Sequence, residues 1–510
     1  MNYQNCFTRV FAAAALLALA GCTMVGPDFT TPAAKTPTAW SEDDNPLFKK
    51  ASEQETIDWW STFNDPTLDR LIELFRTQNL TLQSAALRII EARAQLALIQ
   101  GFLYPQSQAA SGKLFTIGDE LTPVTVDRYY NIASIGFDVG WEMDFWGKYR
   151  RSIESADASL LARIADNEEI LVSLTAETAR TYVTIRTLQE RISLARKNAQ
   201  LQQDSLDLVK LQFDAGVVTE LDVLQAQTLL STTQAAIPNL EAALASARNG
   251  LAVLIGELPE GIGPLLGTDA AIPEVASQVI VPLPAELLRR RPDIRRAEMQ
   301  AAAQSARIGV ARAELYPSFS LLGSIGLSAS DLGDARLGDL FESSGFSYSF
   351  GPSFTWKLFN YGRLENEVRV QDARYQQTVL AYQNTVLNAA REAEDAMKTL
   401  VQSYKEAAYL ESGVNSSERS TELSTLQYKE GLVDYQRVLD SIRSLTLRQD
   451  QYAQVRGQIA TSVIALYKAF GGGWKIDYAS DPLIPAIMIR DMEERTDWDG
   501  FFRPKERPDG

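Results

Sequence analysis

The chain carries the same helical hairpin twice, and that repetition restricts its fold more than any other feature. Leu211-Gln212-Phe213-Asp214-Ala215-Gly216-Val217-Val218 and Leu426-Gln427-Tyr428-Lys429-Glu430-Gly431-Leu432-Val433 each follow a long apolar-periodic run. Each breaks at Gly and resumes after two apolar residues. Glycine can close a helix in the left-handed conformation, so each motif predicts a helix end followed at once by a new helix start. Thr219 and Asp434 are placed to cap the returning helices.

Gly216 and Gly431 lie 215 residues apart, as do the glycines of Phe145-Trp146-Gly147-Lys148 and Asn360-Tyr361-Gly362-Arg363. Leu103-Tyr104-Pro105 recurs as Leu315-Tyr316-Pro317, 212 residues later. Val386, Ala389, Ala393, Ala396 and Leu400 step by three and four, and 215 residues earlier stand Leu171, Leu174, Thr178, Thr181 and Ile185. Three landmarks and a shared helical phase imply an internal duplication. The 510 residues therefore read as one two-fold assembly rather than as several unrelated domains.

The N-terminus predicts export. Arg9 precedes an apolar run from Val10 to Ala20, too short to span a bilayer but suited to a signal peptide. Leu19-Ala20-Gly21-Cys22 resembles a bacterial lipobox, which makes residues 1–21 a lipoprotein signal peptide and Cys22 the acylated residue. With Cys6 removed in the signal, the mature chain holds no disulfide. Residues 22–62, rich in Pro, Thr and Asp, are expected to be an extended lead. No later stretch is long and apolar enough for a transmembrane helix, so any crossing must use strands.

Two segments have strand period. Ala133, Ile135, Phe137, Val139, Trp141 and Met143 alternate with small or polar residues, and Gln106 to Ile117 is the expected partner strand. The second copy is Ser318 to Ser328 with Gly345 to Leu358, whose Phe346, Tyr348, Phe350, Pro352, Phe354 and Trp356 share one face. A soluble sandwich could alternate in this way, but strands of this length with terminal aromatics also fit a transmembrane barrel. Four strands are too few to close a barrel, and lipid does not tolerate open edges. If these strands span a membrane, several chains must pool them.

After each hairpin comes a helical pattern from Gly147 to Asp214 and from Gly362 to Glu430, each about 100 Å long if unbroken. The returning helices, Thr219 to Ile255 and Asp434 to Phe470, are about half as long, as are Pro66 to Leu103 and Ala285 to Leu315. Residues 63–270 then form the first repeat, with hairpin 106–146, and residues 271–473 the second, with hairpin 318–358. The tail 474–510 is expected to be irregular and solvent-facing.

The lipobox, Met24-Val25-Gly26-Pro27-Asp28-Phe29, Trp59-Trp60, Phe63-Asn64-Asp65-Pro66, Arg289-Arg290-Arg291-Pro292-Asp293-Ile294 and Leu466-Tyr467-Lys468-Ala469-Phe470-Gly471-Gly472-Gly473-Trp474 stand in order along the chain. Together they resemble outer-membrane efflux lipoproteins of the OprM/NodT type, relatives of TolC. The resemblance implies a mainly α fold: a long α-helical coiled-coil periplasmic barrel plus a transmembrane β-barrel shared between subunits, four strands per chain in a homotrimer. It implies an exit duct of a tripartite, RND-type efflux pump for small molecules such as antibiotics, reached from an inner-membrane pump through a periplasmic adaptor, and a lipid-anchored place in the outer membrane. Protein secretion, or a lipid-anchored scaffold without a pore, are the alternatives.

By the same resemblance, the hairpin tips close the duct. Asp440 and Asp222 match the family's acidic gate positions, and Gly216, Val217, Gly431 and Leu432 mark the turns that contact the adaptor. The basic residue expected two positions after the second glycine is Val433 here, which makes Arg437 the candidate tie. Gln436 replaces a constriction leucine.

Other chemistries find little support. The chain has no His, which removes His-based triads and His metal ligands. Gly471-Gly472-Gly473 lacks the ending of a phosphate loop, and no cofactor is implied. With a net charge of −16, the isolated Arg289-Arg290-Arg291 run reads as a salt-bridge cluster at a helix start rather than a nucleic-acid site.

Overall fold

The computed structural model describes residues 24–50, 58–118, 129–267, 271–274, 279–281, 291–331, 336–474, 484–498 and 501–502. Cys22, Arg289, Arg290 and residues 119–128 of the first expected hairpin lie outside them. Nine helices and six strands occur among the described residues. In chain order the strands are β1 (Phe48–Lys50), β2 (Ser107–Gly118), β3 (Tyr129–Met143), β4 (Val279–Val281), β5 (Ser318–Ser330) and β6 (Phe346–Thr355). The helices are α1 (Pro66–Gln78), α2 (Leu80–Gly101), α3 (Lys148–Asp214), α4 (Glu220–Leu254), α5 (Ile262–Leu266), α6 (Pro292–Ala313), α7 (Arg363–Lys429), α8 (Tyr435–Ala469) and α9 (Ala486–Glu493).

The chain divides into two compact units that cut across both repeats. One comprises the segment ending at Ala33, Ile89–Arg163 and Arg296–Gln383; the other comprises Ala34–Arg88, Ile164–Arg295 and the segment beginning at Asn384.

The first unit holds a four-stranded antiparallel sheet in the order β2-β3-β5-β6. Its register gathers the apolar positions on one face: Met143 faces Phe319 and Phe319 faces Phe354, while Phe137 faces Ile325 and Ile325 faces Tyr348. The opposite face carries Asp138 beside Ser324, and Ser324 beside Ser349. Side chains in a strand point alternately to the two faces, so the period-two pattern sorts them without further help. The apolar face stays exposed: Tyr348, Phe350 and Phe354 are 76%, 75% and 70% accessible. No strand among the described residues pairs with the outer edge of β2 or of β6.

At the foot of the sheet, equivalent tryptophans tie strands to helix ends. Trp141 Nε1 donates to the Leu103 carbonyl and Trp356 Nε1 to the Leu315 carbonyl, both at 3.1 Å. Lys148 Nζ and Lys357 Nζ converge on the Glu314 carboxylate at 2.6 and 2.5 Å. The two lysines outweigh burial and hold that carboxyl below its ordinary range.

In the second unit the heptad phase becomes burial. Val386, Ala389, Ala393, Ala396 and Leu400 are buried, as are Leu171, Thr178 and Ile185. Helices α3 and α8 meet through a polar ladder, with Arg191 on Asp450 at 2.7 Å, Arg456 on Glu190 at 2.9 Å and Asn198 on Gln449 at 2.9 Å. Trp59 stacks on Tyr467 with centroids 5.5 Å apart. Arg186 is fully buried and donates to Tyr182, Gln189 and the Leu266 carbonyl at 2.9–3.0 Å. The Tyr182 hydroxyl donates in turn to Asp65 at 2.6 Å, and Asp65 caps α1. Arg291 forms the salt-bridge cluster expected at a helix start, bonding Asp293, Glu392 and the Ala469 carbonyl.

Several expectations need correction. The helix expected from Pro66 to Leu103 breaks at Asn79, whose side chain accepts from the Leu82 N–H and starts a second helix. The lead to residue 62 is not wholly irregular: β1 pairs in parallel with β4, and Trp59–Phe63 forms a 3-10 turn with both tryptophans buried. The strand expected from Ser318 to Ser328 runs on to Ser330, and 3-10 turns at Leu337–Phe341 and Ser343–Gly345 precede β6. The helix expected from Ala285 starts, among the described residues, at Pro292. The tail contains α9, and Ile484 before it is buried rather than solvent-facing.

Candidate gate at the hairpin tips

Both long helices end in the same closure. Gly216 N–H bonds the Phe213 carbonyl and Val217 N–H the Gln212 carbonyl, both at 2.9 Å. Gly431 and Leu432 repeat this on Tyr428 and Gln427 at 3.0 and 2.9 Å. This is the Schellman arrangement, which satisfies the orphan carbonyls of a helix end and requires a left-handed residue. Both glycines have φ of +74°. A Cβ at either would meet nothing within 4 Å, so backbone conformation rather than space selects glycine here. Val217 and Leu432 stand exposed at the turns, 71% and 73% accessible.

The returning helices then start on side-chain caps. Asp222 Oδ2 accepts from the Thr219 N–H at 3.0 Å and from its hydroxyl at 2.8 Å. Asp434 accepts from the Arg437 N–H at 3.3 Å. Asp440 accepts from Gln436 Nε2 at 3.0 Å and from Arg443 Nη1 at 3.2 Å. Within the chain, therefore, Arg443 rather than Arg437 holds Asp440. The Arg437 side chain instead lines a groove of α7 with Glu411 and Arg419.

Beneath the tips lies an apolar cluster that joins all four hairpin helices: Leu206, Val209, Ala226, Leu230, Tyr428, Tyr435, Val438, Leu439 and Ile442. Val433, at the position expected to be basic, packs against this cluster. Tyr428 and Tyr435 meet ring to ring with centroids 5.4 Å apart. Tyr435 shares a hydrogen bond with Ser205 at 3.2 Å, whereas the buried Tyr428 hydroxyl has no hydrogen-bond partner among the described residues. Burial first, and then the charge of Asp222, push the Tyr428 hydroxyl up to about 12. Asp222 thus acts on the tyrosine pair as well as capping its own helix. Sequence reasoning missed this pair and Arg443. The usable signal for Tyr428 was its position, the aromatic three residues before the turn glycine.

The two tips thus share a compact apolar base, with the half-buried Asp222 and the exposed Asp440 beside it and no nucleophile–base pair among these residues. Among the described residues, no cluster of three or more acidic or thiol side chains could hold a metal ion.

The family model described as "Outer membrane efflux protein" matches residues 71–257 and 283–472. Nodulation protein T of Rhizobium leguminosarum bv. viciae is 31% identical over 475 residues, 93% of this chain and 95% of its own. The pyoverdine export outer membrane protein OpmQ of Pseudomonas putida is 31% identical over 451 residues, covering 86% of this chain and 93% of its own. The solved outer-membrane channel OprN superposes with a TM-score of 0.82 at 32% identity, over 88% of this chain and 99% of that one. With both repeats matched and the whole fold shared, the chain belongs to the outer membrane efflux protein family.

Proposed function

We propose that three copies of this chain close one twelve-stranded barrel in the outer membrane, and that their hairpin tips form a gate at the periplasmic end. The duct receives small molecules from an inner-membrane RND-type pump through a periplasmic adaptor, which contacts the turns at Gly216, Val217, Gly431 and Leu432. Lipid on Cys22 adds a second attachment to the membrane. The carrying observation is the two-faced sheet, whose two outer edges pair with no strand among the described residues and whose aromatic face is exposed. A backbone edge of that kind in lipid needs another chain, because each unsatisfied N–H or carbonyl costs several kcal/mol there. A periplasmic scaffold without a pore has no use for such a sheet.

At the gate, copies of Asp222 and Asp440 brought around one axis repel each other and attract cations. Arg437, whose side chain makes no bond to Asp440, is free to tie one hairpin to a neighbouring copy. Only a few kcal/mol in total need separate closed from open for an adaptor to shift the balance. Single-channel conductance of purified wild type and of Asp222→Ala/Asp440→Ala protein tests the reading. A small wild-type conductance that rises severalfold in the variant supports pore and gate together. Equal conductances place the gate elsewhere, and no conductance from either protein removes the duct.

A further inference from the structure

The segment from Met24 to Thr31 makes hydrogen bonds and close contacts along its length. Val25 N–H donates to the Trp146 carbonyl at 3.0 Å. Arg151, whose side chain is only 2% accessible, grips the segment three times: Nε on the Val25 carbonyl at 3.2 Å, Nη2 on the Gly26 carbonyl at 3.4 Å, and Nη2 on Asp28 at 2.7 Å. Its Nη1 is held by Glu154 at 2.7 Å. Gly26, with φ of +98°, crosses Gly309 of α6 so closely that a Cβ on Gly26 would sit 2.4 Å from the Gly309 Cα. A Cβ on Gly309 would lie 2.9 Å from both the Val25 carbonyl oxygen and the Arg151 Cδ. Farther along, Phe29 packs on Ala158, Ala302 and Ala303, and the Thr31 hydroxyl donates to Glu298 at 2.6 Å.

We propose that this is a peptide-binding seat whose occupant, in cis, is the segment Met24–Thr31, and that Arg151 is its positioning residue. The seat recognises an extended segment with a positive-φ glycine, two free carbonyls and a following acid. A buried guanidinium suits this task, because it has five donors in a rigid fork and cannot lose its charge. Its role is to fix where the anchor leaves the protein. Two residues span at most about 7 Å, so acyl chains on Cys22 are delivered beside Trp146, at the foot of β3. Without the seat, that attachment point would wander with the whole lead. The inference stands apart from the gate, since it uses neither the tips nor the subunit number.

The test is a nick in the otherwise complete chain. A site-specific protease sequence is inserted after Lys35, the purified protein is cleaved in detergent, and size-exclusion chromatography separates protein-containing micelles from empty ones. Mass spectrometry follows the released N-terminal fragment, whatever its acylation. Retention of the fragment on the wild-type protein, and loss at least tenfold faster from Arg151→Met and Gly309→Ala, is the expected result. Immediate loss from the wild type shows that chain connectivity alone holds the segment and overturns the seat. Equal retention by wild type and both variants overturns the role of Arg151. If Arg151→Met fails to fold, Asp28→Ala decides, because the Asp28 side chain is 90% accessible and its loss leaves the core intact. A severalfold faster release from that variant supports the seat, and unchanged release overturns it.

Discussion

In the proposed gate the tip cluster and the exposed Asp440 make opposed claims, and their magnitudes can be ranked. Leu439 is buried in the cluster that joins α3, α4, α7 and α8. Truncating such a leucine to alanine costs roughly 3–5 kcal/mol, part transfer free energy and part cavity. Asp440 and Arg443, by contrast, are 58% and 59% accessible. Exposed pairs of this kind contribute about 0.2–1 kcal/mol. Each 1.4 kcal/mol is about a factor of ten in an equilibrium constant. If opening a tip breaks the cluster, Leu439→Ala weakens the closed form of each chain by about a hundredfold to several thousandfold, whereas Asp440→Ala weakens it less than about tenfold.

The prediction is therefore an order: Leu439→Ala opens the tips more than Asp440→Ala does. Open probability in planar bilayers measures the gate, and the rate of tryptic cleavage at the exposed Lys429 measures local opening of the turn. Leu439→Met, which conserves volume, should stay near wild type in both. The reasoning fails if Leu439→Ala matches wild type in open probability and cleavage, or if Asp440→Ala exceeds it. The second outcome would mean that charge between copies, not packing within each chain, sets the closed state.

Three further outcomes are expected. Cys22→Ser abolishes metabolic labelling with fatty acid, and continued labelling removes the lipobox assignment. Glu314→Gln lowers stability at neutral pH and flattens the acid arm of the stability curve. The Glu314 carboxyl is held below its ordinary 4.5, so its contribution is present above that pH and disappears as pH falls through the lower folded value; an unchanged acid arm in the variant refutes this. Arg186→Met removes the donors held by Tyr182, Gln189 and the Leu266 carbonyl, at about 1–3 kcal/mol for each buried acceptor left unsatisfied, and an unfolding midpoint equal to wild type counts against the network.

Local signals carried most of the fold into the sequence. The helix expected from Gly147 to Asp214 runs from Lys148 to Asp214, and the strand expected from Gln106 to Ile117 runs from Ser107 to Gly118, because period and turn chemistry act within a few residues. The break at Asn79 was hidden for the same reason. Apolar spacing continues through Leu71, Ile72 and Phe75 to Ala85, Ala86 and Ile89, all buried, so both helices present one continuous face. Strands β1 and β4 have three residues each and pair across the repeat boundary, which no local period can announce. The partner of Asp440 shows a subtler limit. Arg437 and Arg443 both stand three residues from it, and spacing does not choose between them. Helical side chains lean towards the helix N-terminus, so Arg443 leans back onto Asp440 while Arg437 leans away.

Duplication supplied the geometry of the tips, and divergence after it supplied their charge. Shifted by the 215-residue repeat, Asp222 falls on Arg437, and Asp440 falls on Gln225. The same backbone position, six residues past the same left-handed glycine and in the first turn of the returning helix, thus carries an acid in one hairpin and a base in the other. The next position on that face carries an amide in one and an acid in the other. In the proposed ring of three copies, six tips would alternate in this pattern, acid-bearing hairpins next to base-bearing ones. A ring of six identical acidic tips would only repel. An alternating ring carries both a repulsive and an attractive set of contacts, and a small rotation of one hairpin type against the other can exchange them. The Tyr428–Tyr435 pair adds to this asymmetry, because its counterparts in the first repeat are Phe213 and Glu220. Asp222 therefore acts on a tyrosine pair that has no equivalent in the first repeat. A gate built from two unlike hairpins can close by pairing and open by sliding, which one hairpin repeated six times could not do.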